Sequence, residues 1–229
     1  MKKIGIVTIG QSPRDDIIPE MRRVLGRNVE ILERGALDDY TVEEAKRLER
    51  KPGEGLLVTR LKDGTEAGVS HGIVVPLVQK RIEDLEKEGV ELTLVLCTGR
   101  FPSFNSKRLI VYPSEILRGA VSGSIKRGRL AIVHPSKEQI RGVEARRGQG
   151  EKSVWGEEVG VIYDAVSPYG PEEDVAEMAE RLAKAGVDLV WLNCMGFNFR
   201  HKEIVKRKTG KPVIQSNSLV ARVLKELIS

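Results

Sequence analysis

Strand-like and helix-like segments alternate along almost the whole chain of 229 residues. This alternation predicts parallel sheets in a doubly wound α/β fold. Two of the apolar strand-like runs, 92–96 and 187–193, lead directly into the cysteines Cys97 and Cys194. A thiol in such a place lies at the carboxyl end of a parallel strand, the edge at which open α/β sheets bind ligands.

The second half of the chain repeats the pattern of the first. Each half opens with an apolar strand, a polar loop containing proline and a helix, and each later shows a helix, a glycine, an apolar strand and a cysteine. We therefore predict two pseudo-symmetric Rossmann-like lobes, residues 1–127 and 128–217. We expect the last helix, 218–229, to pack back on the first lobe. An Asp-Gly turn between strand-like runs predicts a hairpin insertion near 56–70.

Composition excludes several classes of protein. No apolar run approaches the ~20 residues that span a bilayer, and the apolar start is too short for a signal peptide, so we expect no membrane partner and a cytoplasmic location. The net charge of +5 suits either nucleic acid or a small anion. Aromatic residues make up only 4% and no nucleic-acid-binding motif is present, so we expect a small anionic ligand and no nucleic acid.

Cofactor motifs are also missing from the sequence. It has neither the glycine-rich dinucleotide pattern nor the Walker pattern, and no His, Cys, Asp or Glu spacing typical of a metal site. We therefore expect no cofactor and no metal. Two cysteines form no disulfide framework, and a reducing cytoplasm would keep both as thiols. The sequence leaves the oligomeric state open, a homodimer included.

The two thiols are the candidate catalytic groups. Each is expected near the N-terminus of a following helix, which lowers the pKa of a thiol. The residues that follow them, Thr98 and Gly99 after Cys97 and Met195 and Gly196 after Cys194, are candidates to bind an anion through backbone N–H groups. The alternative is that both cysteines are small buried hydrophobic residues.

The loop after the first strand offers a second set of ligands. Thr8, Gln11, Ser12 and Arg14 bring hydroxyls, an amide and a guanidinium, a set that suits a carboxylate or phosphate. The alternative is a helix capped by Ser12, running from Pro13 to about Gly26, with Arg14 in solvent.

Polar residues follow two strands of the second half. His134 ends one strand and could add an anion contact or pack on its strand. Asn217, between two serines, follows the last strand, and these residues could face the ligand or cap the last helix. His201 could support Cys194 or lie on the surface. We assign no role to His71.

Several segments resemble the AroM family along the whole chain. They are Val7-Thr8-Ile9-Gly10, Tyr112-Pro113-Ser114-Glu115-Ile116-Leu117, Leu192-Asn193-Cys194-Met195-Gly196-Phe197 with Arg200-His201, and Pro212-Val213-Ile214-Gln215-Ser216-Asn217. The two strand-end cysteines are similar, more distantly, to those of the aspartate/glutamate racemase superfamily.

The superfamily resemblance implies a two-lobed α/β fold with its site between the lobes. Its racemases use one cysteine from each lobe, without a cofactor, to remove and return an α-proton of a carboxylate. Cys97 and Cys194 match those positions. Racemases place Asn-Thr after the first cysteine and Thr after the second, whereas this chain has Thr98-Gly99 and Met195-Gly196. The resemblance therefore does not carry over the contacts to a substrate amino group.

Together these features predict a cofactor-independent racemase, isomerase or decarboxylase acting on a small carboxylate. Cys97 and Cys194 would be the acid and base. Thr8, Gln11, Ser12, Thr98 and Asn217 would hold the carboxylate, and Arg14 would supply charge. The alternative is a binding or regulatory protein that takes a small carboxylate or phosphate in the same cleft without turning it over.

Overall fold

The computed structural model describes residues 2–48, 55–148 and 154–229. Strands and helices alternate, as predicted. The strands are β1 (Lys2–Thr8), β2 (Val29–Gly35), β3 (Leu56–Arg60), β4 (Glu66–Ser70), β5 (Leu92–Leu96), β6 (Leu109–Val111), β7 (Gly128–His134), β8 (Val159–Ala165), β9 (Leu189–Leu192) and β10 (Val213–Gln215). The helices are α1 (Ile18–Leu25), α2 (Val42–Lys46), α3 (His71–Lys87), α4 (Pro113–Ser124), α5 (Lys137–Gly148), α6 (Glu172–Lys184), α7 (Phe199–Thr209) and α8 (Ser216–Leu227).

The chain divides into two compact units. Unit 1 comprises Met1–Ser114 and Ala221–Ser229, and unit 2 comprises Glu115–Val220. The divisions fall within α4 and α8. The lobe boundaries expected from the sequence, at 127/128 and 217/218, stay a prediction.

Each unit contains a parallel sheet of four strands, and the two sheets have the same topology. In unit 1 the order is β2-β1-β5-β6, and in unit 2 it is β8-β7-β9-β10. The first strand of each sheet therefore pairs with the second and the third, and the fourth lies at the edge. This correspondence confirms the predicted pseudo-symmetric α/β fold with mostly parallel sheets.

The cysteine-bearing strands are interior to their sheets because they are apolar on both faces. Every residue of β5 and of β9 is buried. Strands with two buried faces need helices on both sides, and the crossover helices supply them. Helix α6 shows the complementary pattern, since its buried residues recur at helical spacing, at Val175, Met178, Ala179 and Leu182. Each unit has its own cluster of buried apolar side chains.

The predicted hairpin is present in unit 1. Strands β3 and β4 pair antiparallel, and Gly64 takes the positive φ of 83° that the turn requires. The carboxylate of Asp63 accepts hydrogen bonds from the backbone and hydroxyl of Thr65, which closes the turn. One face of the hairpin carries buried residues, among them Leu57 and Val69, that join the apolar cluster of unit 1.

The expectation for the first helix is wrong at its start. Helix α1 begins at Ile18 and not at Pro13. Ser12 does not cap it, because its N–H and hydroxyl donate to the carboxylate of Asp38 at 2.7 and 2.6 Å. The end is as predicted, with Gly26 at a φ of 95° after the last helical residue.

No helix among the described residues is long and apolar enough to cross a membrane.

The contact between β1 and α3 gives a test of the packing in unit 1. A Cβ on Gly5 would come within 2.8 Å of Cδ1 of Leu85, which is fully buried. We expect Gly5→Ala to destabilise the protein by about 1–3 kcal/mol through overpacking. Leu85→Ala should cost about 2–5 kcal/mol through the cavity that it leaves.

The double variant should lose less than the sum of the two, by at least about 0.5 kcal/mol, because the new methyl occupies part of the cavity. Urea unfolding of the four proteins measures this coupling. Strict additivity would contradict the described contact.

Candidate active site

Cys97 and Cys194 occupy equivalent positions in the two units. Cys97 follows β5 and Cys194 follows β9, and each of these strands lies between the first strand and the edge strand of its sheet. The carboxyl ends of β1 and β7 lie beside the ends of β5 and β9, since Thr8 pairs with Leu96 and Val133 with Leu192. The sequence prediction that both thiols follow the carboxyl end of a parallel strand is therefore confirmed.

Each of the two sulfur atoms accepts a hydrogen bond from the N–H two residues later. The N–H of Gly99 donates to Sγ of Cys97 at 3.3 Å, and the N–H of Gly196 donates to Sγ of Cys194 at 3.5 Å. A donor directed at sulfur favours the thiolate over the thiol. The sequence analysis proposed these N–H groups for an external anion, whereas here they contact the chain's own sulfur atoms.

Both positions that donate to sulfur are enclosed by another side chain. A Cβ on Gly99 would lie 2.8 Å from Cδ2 of Leu57, on the hairpin strand β3. A Cβ on Gly196 would lie 2.7 Å from the phenol oxygen of Tyr169. A larger residue at either position would therefore displace Leu57 or Tyr169.

The two thiols differ in exposure. Cys97 is half-buried and packs against the apolar cluster of unit 1. Cys194 is 8% exposed and belongs to the apolar cluster of unit 2. A reagent in solvent therefore reaches Cys97 more easily than Cys194.

In the loop after β1, the side chain of Gln11 joins three parts of unit 1. Its amide nitrogen donates to the carbonyls of Tyr40, at 2.8 Å, and Leu37, at 3.4 Å, and its oxygen accepts from the N–H of Lys62 at 3.0 Å. These bonds link the loop to the segment after β2 and to the hairpin turn. Gln11, a predicted ligand-binding residue, is thus buried and holds the loop in place.

Asp38 organises the same loop, and the sequence analysis did not find it. Its carboxylate accepts from Ser12 and also from the N–H of Gly35 at 2.7 Å. A Cβ on Gly35 would lie 2.4 Å from that carboxylate. The signal available in the sequence was an Asp three residues after the glycine that ends β2, a pattern typical of turns.

Arg14 is not in solvent, so that alternative is wrong. The residue is 4% exposed, and its guanidinium donates to both carboxylate oxygens of Asp16, at 2.9 and 2.7 Å. A third bond joins Nη1 to the hydroxyl of Thr8 at 3.0 Å. The backbone N–H of Arg14 donates to Glu33, a carboxyl whose pKa is raised chiefly by burial. The positive charge of Arg14 is therefore balanced within the loop.

In unit 2 a side chain of β10 holds the segment after Cys194 by a hydrogen bond. The side-chain nitrogen of Gln215 donates to the carbonyl of Phe197 at 2.7 Å. The hydroxyl of Ser216 donates to the carbonyl of Leu192 at 2.7 Å and accepts from Nε1 of Trp191 at 3.1 Å. Sequence reasoning grouped these residues in one motif but assigned the ligand role to Asn217, which is buried in the first turn of α8.

His201 caps helix α7, and the alternative that it is a surface residue is wrong. Its Nδ1 accepts from the N–H of Asn198 at 3.2 Å, and its own N–H donates to Oδ1 of Asn198 at 3.0 Å. The imidazole is 3% exposed and meets the ring of Phe197 edge-on. Burial lowers its pKa, against a smaller opposing effect of Glu172. His201 therefore fixes the end of the segment that carries Cys194.

His134 ends β7 and is buried, with its ring 5.9 Å from that of Tyr163. His71, to which we assigned no role, lies in unit 1 beside the segment after Cys97. Its Nε2 donates to the carbonyl of Arg100 at 2.7 Å, and its ring stacks on Phe101. The part of the chain that the structure describes contains no group of three or more His, Cys, Asp or Glu residues that could hold a metal ion.

Solved structures place the fold in a known class, that of the aspartate/glutamate racemases and their relatives. An allantoin racemase from Klebsiella pneumoniae matches with a TM-score of 0.59 at 14% identity, covering 100% of this chain and 88% of its own. A glutamate racemase from Aquifex pyrophilus matches with a TM-score of 0.56 at 15% identity, over 99% and 84%. The maleate isomerase Iso from Pseudomonas putida S16 gives 0.60 at 12% identity, over 99% and 92%.

The family itself follows from the sequence match. The model of the AroM protein family matches residues 4–228, and the chain belongs to that family. Comparison with curated proteins finds no match. The resemblance to AroM is therefore confirmed, and the fold is similar to that of the aspartate/glutamate racemases.

The buried cap at His201 predicts a dependence of stability on pH. Its pKa is lower in the folded protein than in the unfolded chain, so below about pH 6.5 the unfolded state binds the proton first. The stability that neutral His201 contributes is thus complete above that pH and is lost as the pH falls.

Denaturant unfolding at pH 5 and pH 7.5 should show a smaller loss of stability for His201→Gln than for the unchanged protein. His71→Gln, which makes the same replacement in unit 1, provides the comparison. An identical pH dependence in the His201 variant and the parent would contradict the prediction.

Proposed function

We propose that the chain is a cofactor-independent enzyme of the racemase and isomerase type, acting on a small carboxylate through Cys97 and Cys194. One observation carries the proposal. Two cysteines occupy the same place in two sheets of the same topology, and each sulfur accepts an N–H from the glycine two residues later. Chance burial of two small residues would not reproduce both the position and the bond.

The proposed chemistry is a proton transfer at the carbon next to the carboxylate. One cysteine, as thiolate, takes the proton and becomes a thiol, and the electron pair moves into the carboxylate to give an enolate-like intermediate. The other cysteine, as thiol, returns a proton to the opposite face and becomes a thiolate. General acid–base catalysis of this kind contributes about 10²–10⁴-fold in rate for each group. The glycine N–H groups support it by stabilising charge on sulfur.

Thr8, Thr98 and Asn217, with the backbone at Met195, are the proposed ligands of the carboxylate. Donors of this kind stabilise the negative charge that develops in the intermediate. We assign Gln11, Ser12 and Arg14 a positioning role, because Gln11 and Ser12 bond the loop to other segments of unit 1 and Arg14 bonds to Thr8. The N–H groups of Gly99 and Gly196 serve the sulfur atoms. His134 and His201 would support the site from the second unit. The reducing cytoplasm that we propose as the location would keep both thiols available.

The solved relatives widen the range of reactions to test. Racemases of allantoin and glutamate are among them, and a Nocardia farcinica maleate cis-trans isomerase holds a covalently bound succinylcysteine intermediate. We therefore test two routes for this chain, proton transfer between the two thiols and addition of one thiol to a double bond. In the second route the thiolate of one cysteine bonds to one alkene carbon, and the π electron pair takes a proton from the other cysteine at the neighbouring carbon. The resulting C–C single bond rotates. The second cysteine then removes the proton, the double bond forms again, and the first sulfur leaves as a thiolate. Mass spectrometry of the intact protein with maleate would detect that adduct.

Deuterium exchange is the direct test of proton transfer. In heavy water we expect the protein to exchange the α-hydrogen of at least one member of a panel of 2-amino, 2-hydroxy and dicarboxylic acids, measured by proton NMR. Cys97→Ser and Cys194→Ser should each reduce exchange by at least about 10²-fold. Ser122→Ala, at a half-buried serine of α4 with no proposed role at the site, is the control. Exchange that survives replacement of both cysteines would refute the thiol mechanism.

The reactivity of the thiols gives a second test. We expect iodoacetamide at neutral pH to modify Cys97 faster than Cys194, because Cys97 is half-buried and Cys194 is only 8% exposed. A dicarboxylate that occupies the site should slow both reactions. Peptide mass spectrometry reads each site separately. Two thiols that stay unmodified in the folded protein would speak against a catalytic role.

Burial of Cys194 in an apolar cluster supports a second candidate, a binding protein for a small carboxylate or phosphate. Such a protein would gain thermal stability from the ligand, exchange no hydrogen, and tolerate Cys→Ser with little loss of affinity. Thermal shift measured alongside the exchange assay separates the two functions.

A further inference from the structure

Helix α3 holds the segment 98–108, which follows Cys97 and has no regular secondary structure. The holding residues are His71, Gln79 and Glu86, spaced by eight and seven residues and thus on one side of the helix. His71 donates to the carbonyl of Arg100. The side-chain amide of Gln79 makes two hydrogen bonds with the backbone of Asn105, one donated and one accepted, at 2.9 Å each. The N–H of Lys107 donates to the carboxylate of Glu86 at 2.9 Å.

Of the three, His71 contacts the segment nearest to Cys97, at Arg100. Its Nε2 carries a proton, since a carbonyl oxygen can only accept, and it donates to Arg100 at 2.7 Å. The same ring stacks on Phe101, with centroids 5.2 Å apart and planes at 26°. Two contacts from one side chain therefore fix two consecutive residues of the segment.

Phe101 lies between His71 and Gly99, the residue whose N–H contacts the sulfur of Cys97. Its Cε2 lies 3.6 Å from the place where a Cβ on Gly99 would stand, and Cδ2 of Leu57 lies 2.8 Å from the same point. Gly99 is thus enclosed between the hairpin and the aromatic ring. In this position its N–H donates to Sγ of Cys97.

We infer that His71 is a positioning residue for Cys97, which it serves by keeping the N–H of Gly99 directed at the sulfur. The inference rests on the proposed function, in which Cys97 works as a thiolate. Without the imidazole, Phe101 and the Arg100 carbonyl lose their anchor and Gly99 gains freedom to turn away. The thiolate then loses a donor, so the pKa of the thiol rises and less thiolate is present at neutral pH.

The second thiol supplies an internal comparison. The segment after Cys194 is held in unit 2 by Gln215 and by the cap between Asn198 and His201, and His71 belongs to unit 1. Loss of His71 should therefore change Cys97 and leave Cys194 as it is. A general loss of stability would change both.

The test is the pH–rate profile of alkylation by iodoacetamide, read in the full chain. In a Cys194→Ser background, His71→Ala should move the midpoint of the Cys97 profile to higher pH and slow modification at pH 7 by about threefold to tenfold. The midpoint reports the pKa of the thiol, and the plateau at high pH reports its accessibility. His71→Phe keeps the stack and His71→Gln keeps a donor, so each should fall between the parent and His71→Ala.

Two controls make the result specific. Gln79→Ala removes a contact of the same helix face with the same segment, farther along the chain from Cys97, and should leave the Cys97 midpoint unchanged. In a Cys97→Ser background, His71→Ala should leave the Cys194 profile unchanged. If His71→Ala does not fold, the Phe and Gln variants carry the comparison.

An unchanged Cys97 midpoint in the His71 variants would overturn the inference, and so would an equal shift at both cysteines. Alkylation needs no turnover, so the outcome is independent of the exchange assay. Absence of deuterium exchange together with a shifted Cys97 midpoint would refute the proposed reaction and leave the positioning role of His71 intact.

Discussion

Parallel pairing of the first and third strands in each sheet is the constraint on which the candidate site depends. Because β5 pairs with β1, and β9 with β7, each cysteine emerges beside the carboxyl end of the first strand of its unit. The chain bends after each cysteine, so that the N–H of the residue two positions later reaches the sulfur. The hydrogen bond from glycine to sulfur thus follows from the bend at the carboxyl end of the strand.

The loops around the thiols are held by buried and partly buried polar side chains that bond to backbone groups. Gln11 and Asp38 do this in the first loop of unit 1, and Gln215 does it beside Cys194. A buried amide or carboxylate without partners would cost stability, so each of these groups fixes the segment that satisfies it. The proposed chemistry requires such order, because acid–base groups act only within hydrogen-bond reach of the transferred proton. The hydrogen bonds within and between these loops therefore fix the positions of the residues around the thiols.

Much of the fold could be predicted from the sequence because its signals are local. The apolar runs before Cys97 and Cys194, the Asp-Gly turn of the hairpin and the glycine after α1 all act through the conformation of a few neighbouring residues. The start of α1 could not be predicted, since Ser12 has the chemistry of a cap and its actual partner, Asp38, is 26 residues away. The burial of Arg14 could not be predicted either, because the carboxylate of Asp16 binds its charge only once the loop is folded.

The sequence by itself determined where the two thiols stand. Each thiol follows a buried strand and precedes a glycine by two residues. Spacing of that kind can be recognised in the sequence because strands and turns are formed by residues close together in the chain. Only the tertiary structure decided what surrounds each thiol. Leu57 lies against Gly99, Tyr169 covers Gly196, and His71 supports the segment after Cys97, all through contacts between residues distant in the chain. Such contacts follow from how helices and strands pack, and no local pattern encodes them.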